Sequence, residues 1–149
     1  MKTLVAYYSR TGNTQVIAKL VAKTLKADID KIEDLKNRKG WKGWIFGSKD
    51  AIMRKKTKIK ISKKPEEYDQ VIIGTPVWAG TMVPAIRTYL EENKFKKIAF
   101  FCTYGGKEGK TFENMKKATK KPCSVFGCKK NNFTLNNINK FCSKLKGGK

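Results

Sequence analysis

The chain has 149 residues, 40% of them hydrophobic and 11% aromatic, which fits one compact domain with a real core and excludes a disordered chain. It carries 34 Lys and Arg against 12 Asp and Glu, a formal net charge of +22, and no histidine. The missing histidine excludes histidine-dependent triads and His-ligated zinc or haem.

No apolar run approaches the roughly 20 residues that a bilayer crossing needs. The stretch from Met1 is too brief for a signal peptide and is broken at Arg10, so a cytoplasmic protein is expected. The four cysteines (Cys102, Cys123, Cys128, Cys142) contain no C-x-x-C pair. They are expected as buried reduced thiols, with no metal site. The charge favours anionic partners, either nucleic acid or an acidic membrane surface. Yet 30 of the 34 basic residues are Lys and the chain is rich in Asn, as A/T-rich codon usage alone would make it. The scarcity of Arg argues against base reading. No specific nucleic-acid partner is expected, and weak contact with a membrane surface stays open.

The elements read β, α, β, long loop, β, α, β, α, β, α. A first strand at about 2–8 leads to a helix at about 14–26, whose Val16, Ile17, Leu20, Val21 and Leu25 fall at helical spacing. A second strand is expected near 28–33. The runs Gln70 to Gly74 and Ile98 to Thr103 are apolar and rich in β-branched and aromatic residues, as strands buried on both faces are. Helices follow at about 83–93, 110–120 and 136–146, with a short strand near 123–128. This alternation predicts a three-layer α/β domain around a doubly wound parallel sheet. Ligands of such sheets sit at the carboxyl ends of the strands, which directs attention to three loops.

After the first strand comes Ser9-Arg10-Thr11-Gly12-Asn13-Thr14, three hydroxyls and a glycine at a helix amino end. Free amides and the helix dipole favour a phosphate there, and Gly12 permits close approach. Plain N-capping by Asn13 or Thr14 is the simpler alternative. The second loop is Thr75-Pro76-Val77-Trp78-Ala79-Gly80. Its Trp78 either walls a ligand or plugs the core. The third is Thr103-Tyr104-Gly105-Gly106, continuing to Thr111. Gly105 to Thr111 reads G-x-x-x-G-K-T, one residue short of a Walker A loop, so nucleotide hydrolysis is not expected.

The first loop resembles the [ST]-x-T-G-N-T phosphate loop of flavodoxins, and the second resembles their P-x-W-x-G segment. The resemblance implies a flavodoxin-like five-stranded sheet with strand order 2-1-3-4-5, and one flavin mononucleotide (FMN). Ser9, Thr11, Asn13 and Thr14, with the amides around Gly12, would hold its phosphate, while Arg10 beside them faces solvent. Thr75, Pro76, Val77, Trp78, Ala79 and Gly80 would border the ring, with a carbonyl at or near Gly80 turned to it. Thr103, Tyr104, Gly105 and Gly106 would wrap its pyrimidine end. No catalytic acid or base is implied. The expected role is electron transfer between protein partners. A quinone or flavin reductase on the same fold is the nearer rival, and a flavin-free nucleic-acid or membrane module the farther one.

The chain departs from that family in its charge, since flavodoxins are usually acidic, so partners acidic at the docking face are expected here. It departs also at Lys36 to Lys58, where nine basic residues stand against Asp50 alone, with Trp41, Trp44 and Phe46 among Gly40, Gly43 and Gly47. Interior glycines cost a helix about 1 kcal/mol each, so a loop with a short helix near 48–55 is expected. A lid or docking surface, a solvated loop with packed tryptophans, and an interfacial anchor compete for this insertion. The fifth strand is expected uninterrupted.

Overall fold

The computed structural model describes residues 1–36, 57–130 and 132–146. Most of the basic insertion, with its expected short helix, lies outside the described residues.

Five parallel strands form the sheet: β1 (Thr3–Tyr7), β2 (Asp28–Lys31), β5 (Gln70–Trp78), β7 (Lys97–Tyr104) and β8 (Val125–Lys129). Two short strands, β3 (Glu33–Asp34) and β4 (Ile59–Lys60), pair with each other, and β6 (Thr81–Met82) folds back on β5. The order across the sheet is β2-β1-β5-β7-β8, the expected 2-1-3-4-5 of the five principal strands. The fifth, β8, runs without interruption. Among the described residues four α-helices flank the sheet: α1 (Asn13–Leu25), α2 (Pro84–Glu92), α3 (Thr111–Ala118) and α4 (Leu135–Lys146).

The period of two along a strand sends alternate side chains to opposite layers. Leu4, Ala6, Val71, Ile73, Ile98 and Phe100 pack under α2 and α3. Val5, Tyr7, Ile72, Ala99 and Phe101 pack under α1 and α4. That is why β1, β5 and β7 read as continuous apolar runs. On the α1 and α4 face, a Cβ at Gly74 would fall on the Phe101 ring. Glycine is there to make room for an aromatic on the neighbouring strand.

Edge strand β2 is polar because its carboxylates bind backbone and hydroxyl donors. Asp30 accepts the amides of Ser62 and Lys63 at 3.0 Å each. The Tyr68 hydroxyl donates to Asp28 at 2.7 Å. The chain returning to β5 is thereby fastened to the edge. Cys102, Cys128 and Cys142 are buried as expected, but Cys123 is exposed. Burial pushes the three buried thiols above their ordinary range.

Two outcomes are expected from this packing. Gly74→Ala should cost roughly 1–3 kcal/mol in denaturant unfolding, as overpacking does, and adding Phe101→Leu should recover part of it. An equal loss in the single and double variants would separate Gly74 from the ring. Burial, then the bond to Asp28, raises the Tyr68 hydroxyl from 10.0 to about 12. The folded state thus keeps a proton the unfolded chain has lost. This stability is present below pH 10 and disappears as pH rises through about 12. The Tyr68→Phe difference in unfolding free energy should shrink across that window, and a constant difference would refute the linkage.

Candidate functional site: a cleft at the carboxyl edge of the sheet

The first loop is built around a glycine that cannot cap the helix it begins. Gly12 is the N-cap of α1 at φ 100°, left-handed backbone that favours glycine, and no side chain caps the helix. A Cβ at Gly12 would meet nothing within 4 Å. Its conformation, and not the room it leaves, requires glycine. The neighbouring hydroxyls and amide bond within the loops, with Ser9 and Thr11 accepting and so keeping their O–H groups to donate. Ser9 Oγ accepts the Gly12 amide at 3.0 Å, the Asn13 amide nitrogen donates to Thr11 Oγ1 at 3.1 Å, and Thr14 pairs with Thr103 at 2.8 Å. Capping by Asn13 or Thr14 is therefore not what this turn does. The first amides of α1 lack intrahelical acceptors by helix geometry, and they face the sheet's carboxyl edge with the positive end of the dipole.

The second loop is a hairpin. Val77 pairs with Met82 and Trp78 with Thr81, leaving Ala79 and Gly80 as a two-residue turn. Both take positive φ, 52° and 76°, as the twist of a tight hairpin demands. Thr75, fully buried, accepts the Val83 amide at 3.2 Å and donates to the Pro76 carbonyl at 2.8 Å. It ties the hairpin back to the start of α2. Trp78 is nearly buried and meets the edge of Tyr8, with ring centroids 5.7 Å apart and planes at 88°. The two readings of Trp78 merge, since one residue belongs to the core and also lines the cleft.

The third loop leaves β7 at Tyr104 and crosses to α3. Its Gly80-facing end is tight: the Lys110 amide donates to the Gly80 carbonyl at 2.8 Å. The expectation of a Gly80 carbonyl turned toward a ligand meets this bond, which already engages that oxygen.

Together the loops enclose a cleft of about 270 Å³ lined by Ser9, Arg10, Thr11, Asn13, Thr14, Pro76, Val77, Trp78, Thr103, Tyr104, Gly105 and Lys130. Eleven of these stand on the three loops expected from sequence. Gly12, Thr75, Ala79, Gly80 and Gly106 are not among the lining residues; the first four shape the turns that present it. Arg10, expected to face solvent, is half-buried and lines the cleft. Lys130 was missed. It follows β8, so the rule that ligands sit beyond the carboxyl ends of strands would have found it. No carboxylate among the described residues lines the cleft. Among the described residues no cluster of His, Cys, Asp or Glu could hold a metal.

One end of this cleft offers hydroxyls and helix amides, which suit an anion, and the other offers Pro76, Val77, Trp78 and Tyr104, which suit a flat apolar ring. A molecule carrying a phosphate on a flexible arm from an aromatic system fits such a division.

A family model described as Flavodoxin matches residues 2–141. Among solved structures, a Lactobacillus acidophilus NCFM flavoprotein in complex with FMN is 21% identical with TM-score 0.72, covering 94% of this chain and 97% of that one. A Bacteroides uniformis protein assigned as a flavoprotein is 22% identical with TM-score 0.82, covering 95% and 97%. Oxidised Flavodoxin 2 of Bacillus cereus is 16% identical with TM-score 0.64 and covers 100% of both chains. At these identities the likeness carries the fold. No curated protein matches the sequence.

The Thr14–Thr103 pair joins the first loop to the third in a nearly dry place. Thr14→Val should cost about 1–3 kcal/mol, because it strands the Thr103 hydroxyl. Replacing both by Val should be close to neutral. If the double variant is as unstable as the single one, the pair is not what joins the loops.

Proposed function

The chain belongs to the flavodoxin family, and from that premise we propose that it binds one FMN in this cleft and carries electrons between protein partners. One observation carries the reading: an uncapped helix end and an aromatic wall share a single cleft. When bound, FMN supplies the chemistry by taking up and releasing one or two electrons, and the protein contributes binding and tuning.

The chain's own residues divide that work. The amides at the start of α1, with Ser9, Thr11 and Asn13, would hold the phosphate. Arg10 and Lys130 add positive charge at the cleft wall. Trp78 and Tyr104 would flank the ring, with Pro76 and Val77 excluding water from its edge. Gly105 leaves backbone accessible on the remaining side. Gly12, Thr75, Ala79 and Gly80 act by shaping the loops. Among the described residues no lining side chain is a carboxylate, which favours an electron carrier over a reductase working on a proton-demanding substrate.

The mouth is basic. Exposed Lys107, Lys110 and Lys130 stand on the loops around it, and exposed Lys129 ends β8 beside them. That supports partners acidic at the docking face, in keeping with a cytoplasmic carrier. No helix among the described residues is long and apolar enough to cross a membrane.

Thr11 is the clean probe of the phosphate end, being exposed and outside the buried Thr14–Thr103 pair. Thr11→Val should weaken FMN by about tenfold while riboflavin, which lacks the phosphate, changes little. Equal losses for both would remove the phosphate from this turn. FMN-loaded protein given NAD(P)H and a quinone, with no other protein, should show no turnover. Sustained turnover would make the reductase the better reading. A protein that stays colourless with FMN and binds RNA or anionic vesicles would replace both.

Electron exchange with an acidic redox protein should slow as salt rises, since screening acts within about 8–10 Å at physiological ionic strength. Replacing Lys129 and Lys130 by Gln should flatten that dependence. A salt dependence unchanged by the double substitution would mean that docking lies elsewhere.

A further inference from the structure

We propose that Gly109 is a positioning residue for the cleft: its missing side chain lets the third loop close against the hairpin turn at Gly80, and that contact holds the Trp78 wall in place. The inference takes only its ligand from the FMN reading; the contact itself belongs to the chain.

The two loops meet backbone to backbone. Gly109 has φ 58°, and a Cβ there would stand 2.7 Å from both the Cα and the carbonyl oxygen of Gly80. No rotamer change relieves a clash with backbone, so any side chain at 109 must push the hairpin away. Two hydrogen bonds run beside the contact. The Lys110 amide donates to the Gly80 carbonyl at 2.8 Å, and the Asn114 side chain donates to Thr81 Oγ1 at 2.8 Å. All three contacts fall on residues 80 and 81, two and three positions after Trp78.

The other side of the third loop is fixed as firmly. The Glu108 carboxylate lies where a Cβ of Gly127 on β8 would be, the Thr111 hydroxyl donates to the Glu108 carbonyl at 2.7 Å, and the Lys130 amide donates to the Tyr104 carbonyl at 2.7 Å. The loop is a strut between the last strand and the hairpin. Such a strut matters because Ala79 holds a left-handed backbone at φ 52°, a conformation a residue with a Cβ keeps only when its surroundings over-determine it. Neither Gly109 nor Gly80 lines the cleft. Their effect on a ligand passes through neighbours that do, Trp78 on the hairpin and Tyr104 and Gly105 on the third loop.

The experiment compares Gly109→Ala with Gly109→Asn. Asparagine tolerates positive φ but brings the same Cβ. If the contact with Gly80 is what counts, both should behave alike. Both should raise the dissociation constants of FMN and riboflavin about tenfold, leaving their ratio as in the wild type, because the phosphate turn is untouched. With Trp41→Phe and Trp44→Phe in the background, Trp78 emission of the FMN-free protein should shift to the red and become easier to quench with acrylamide. A Gly109→Asn protein matching the wild type would overturn the proposal, since backbone conformation alone would then explain the glycine. Unchanged emission and affinity in both variants, or a changed FMN to riboflavin ratio, would overturn it too. If Gly109→Ala does not fold, Asn114→Ala decides. A loss of a few-fold for both ligands supports the strut, and no loss refutes it. Should the wild type fail to bind FMN while Trp78 emission still moves in the variants, the FMN reading falls and the strut stands.

Discussion

A helix that begins on a left-handed glycine begins without a cap. Gly12 offers no side-chain acceptor, and the hydroxyls around it are committed to Gly12 itself, to Asn13 and to Thr103. The amides of the first turn are left toward the sheet's carboxyl edge, where water or an anion must satisfy them. The remaining loops are arranged about this point. The third loop is joined to it through the Thr14–Thr103 pair, and the second is joined to the third through Gly80 and Gly109. The cleft is a chain of three loops, each fixed by the next.

Much of this was legible in the sequence because burial leaves strong signals. Strands covered on both faces must be apolar along their middles, as β1, β5 and β7 are at residues 4–6, 71–73 and 98–101. A turn that ends in a helix and spells Ser-Arg-Thr-Gly-Asn-Thr limits what can bind there. Eleven of the lining residues stand on the three loops picked out by the rule that places ligands beyond the strand ends. The resemblance to flavodoxins added the cofactor, which no spacing could supply.

What escaped the sequence was mostly contact between segments far apart in it. Gly109 and Gly80 touch because two loops converge, and neither local pattern records the other. The engagement of the Gly80 carbonyl by Lys110 is of the same kind. The hairpin of β5 and β6 was missed because its turn carries Ala79 at positive φ, where a turn signal would be Asn or Asp. Lys130 was overlooked among 30 lysines, a background in which no single one stands out. The polar β2 was placed near 28–33 but explained only by Asp28 and Asp30, whose partners lie more than 30 residues away.

The same background bears on the charge. Neutral hydroxyls and amides dominate the anion end of the cleft, and among the described residues only Arg10 and Lys130 bring formal charge to its lining. Surface lysines act across a few ångströms of salt water and contribute little singly. A phosphate site of the kind proposed for this cleft, built from preorganised neutral donors, would depend little on the surface composition. The surface is then free to drift with codon usage, or to be shaped by the partners that must approach it. A net charge of +22 on a fold whose relatives are usually acidic is compatible with an unaltered interior for this reason. The constraint on the interior lies in backbone geometry, at Gly12, Ala79, Gly80 and Gly109. The constraint on the exterior lies in whatever docks there.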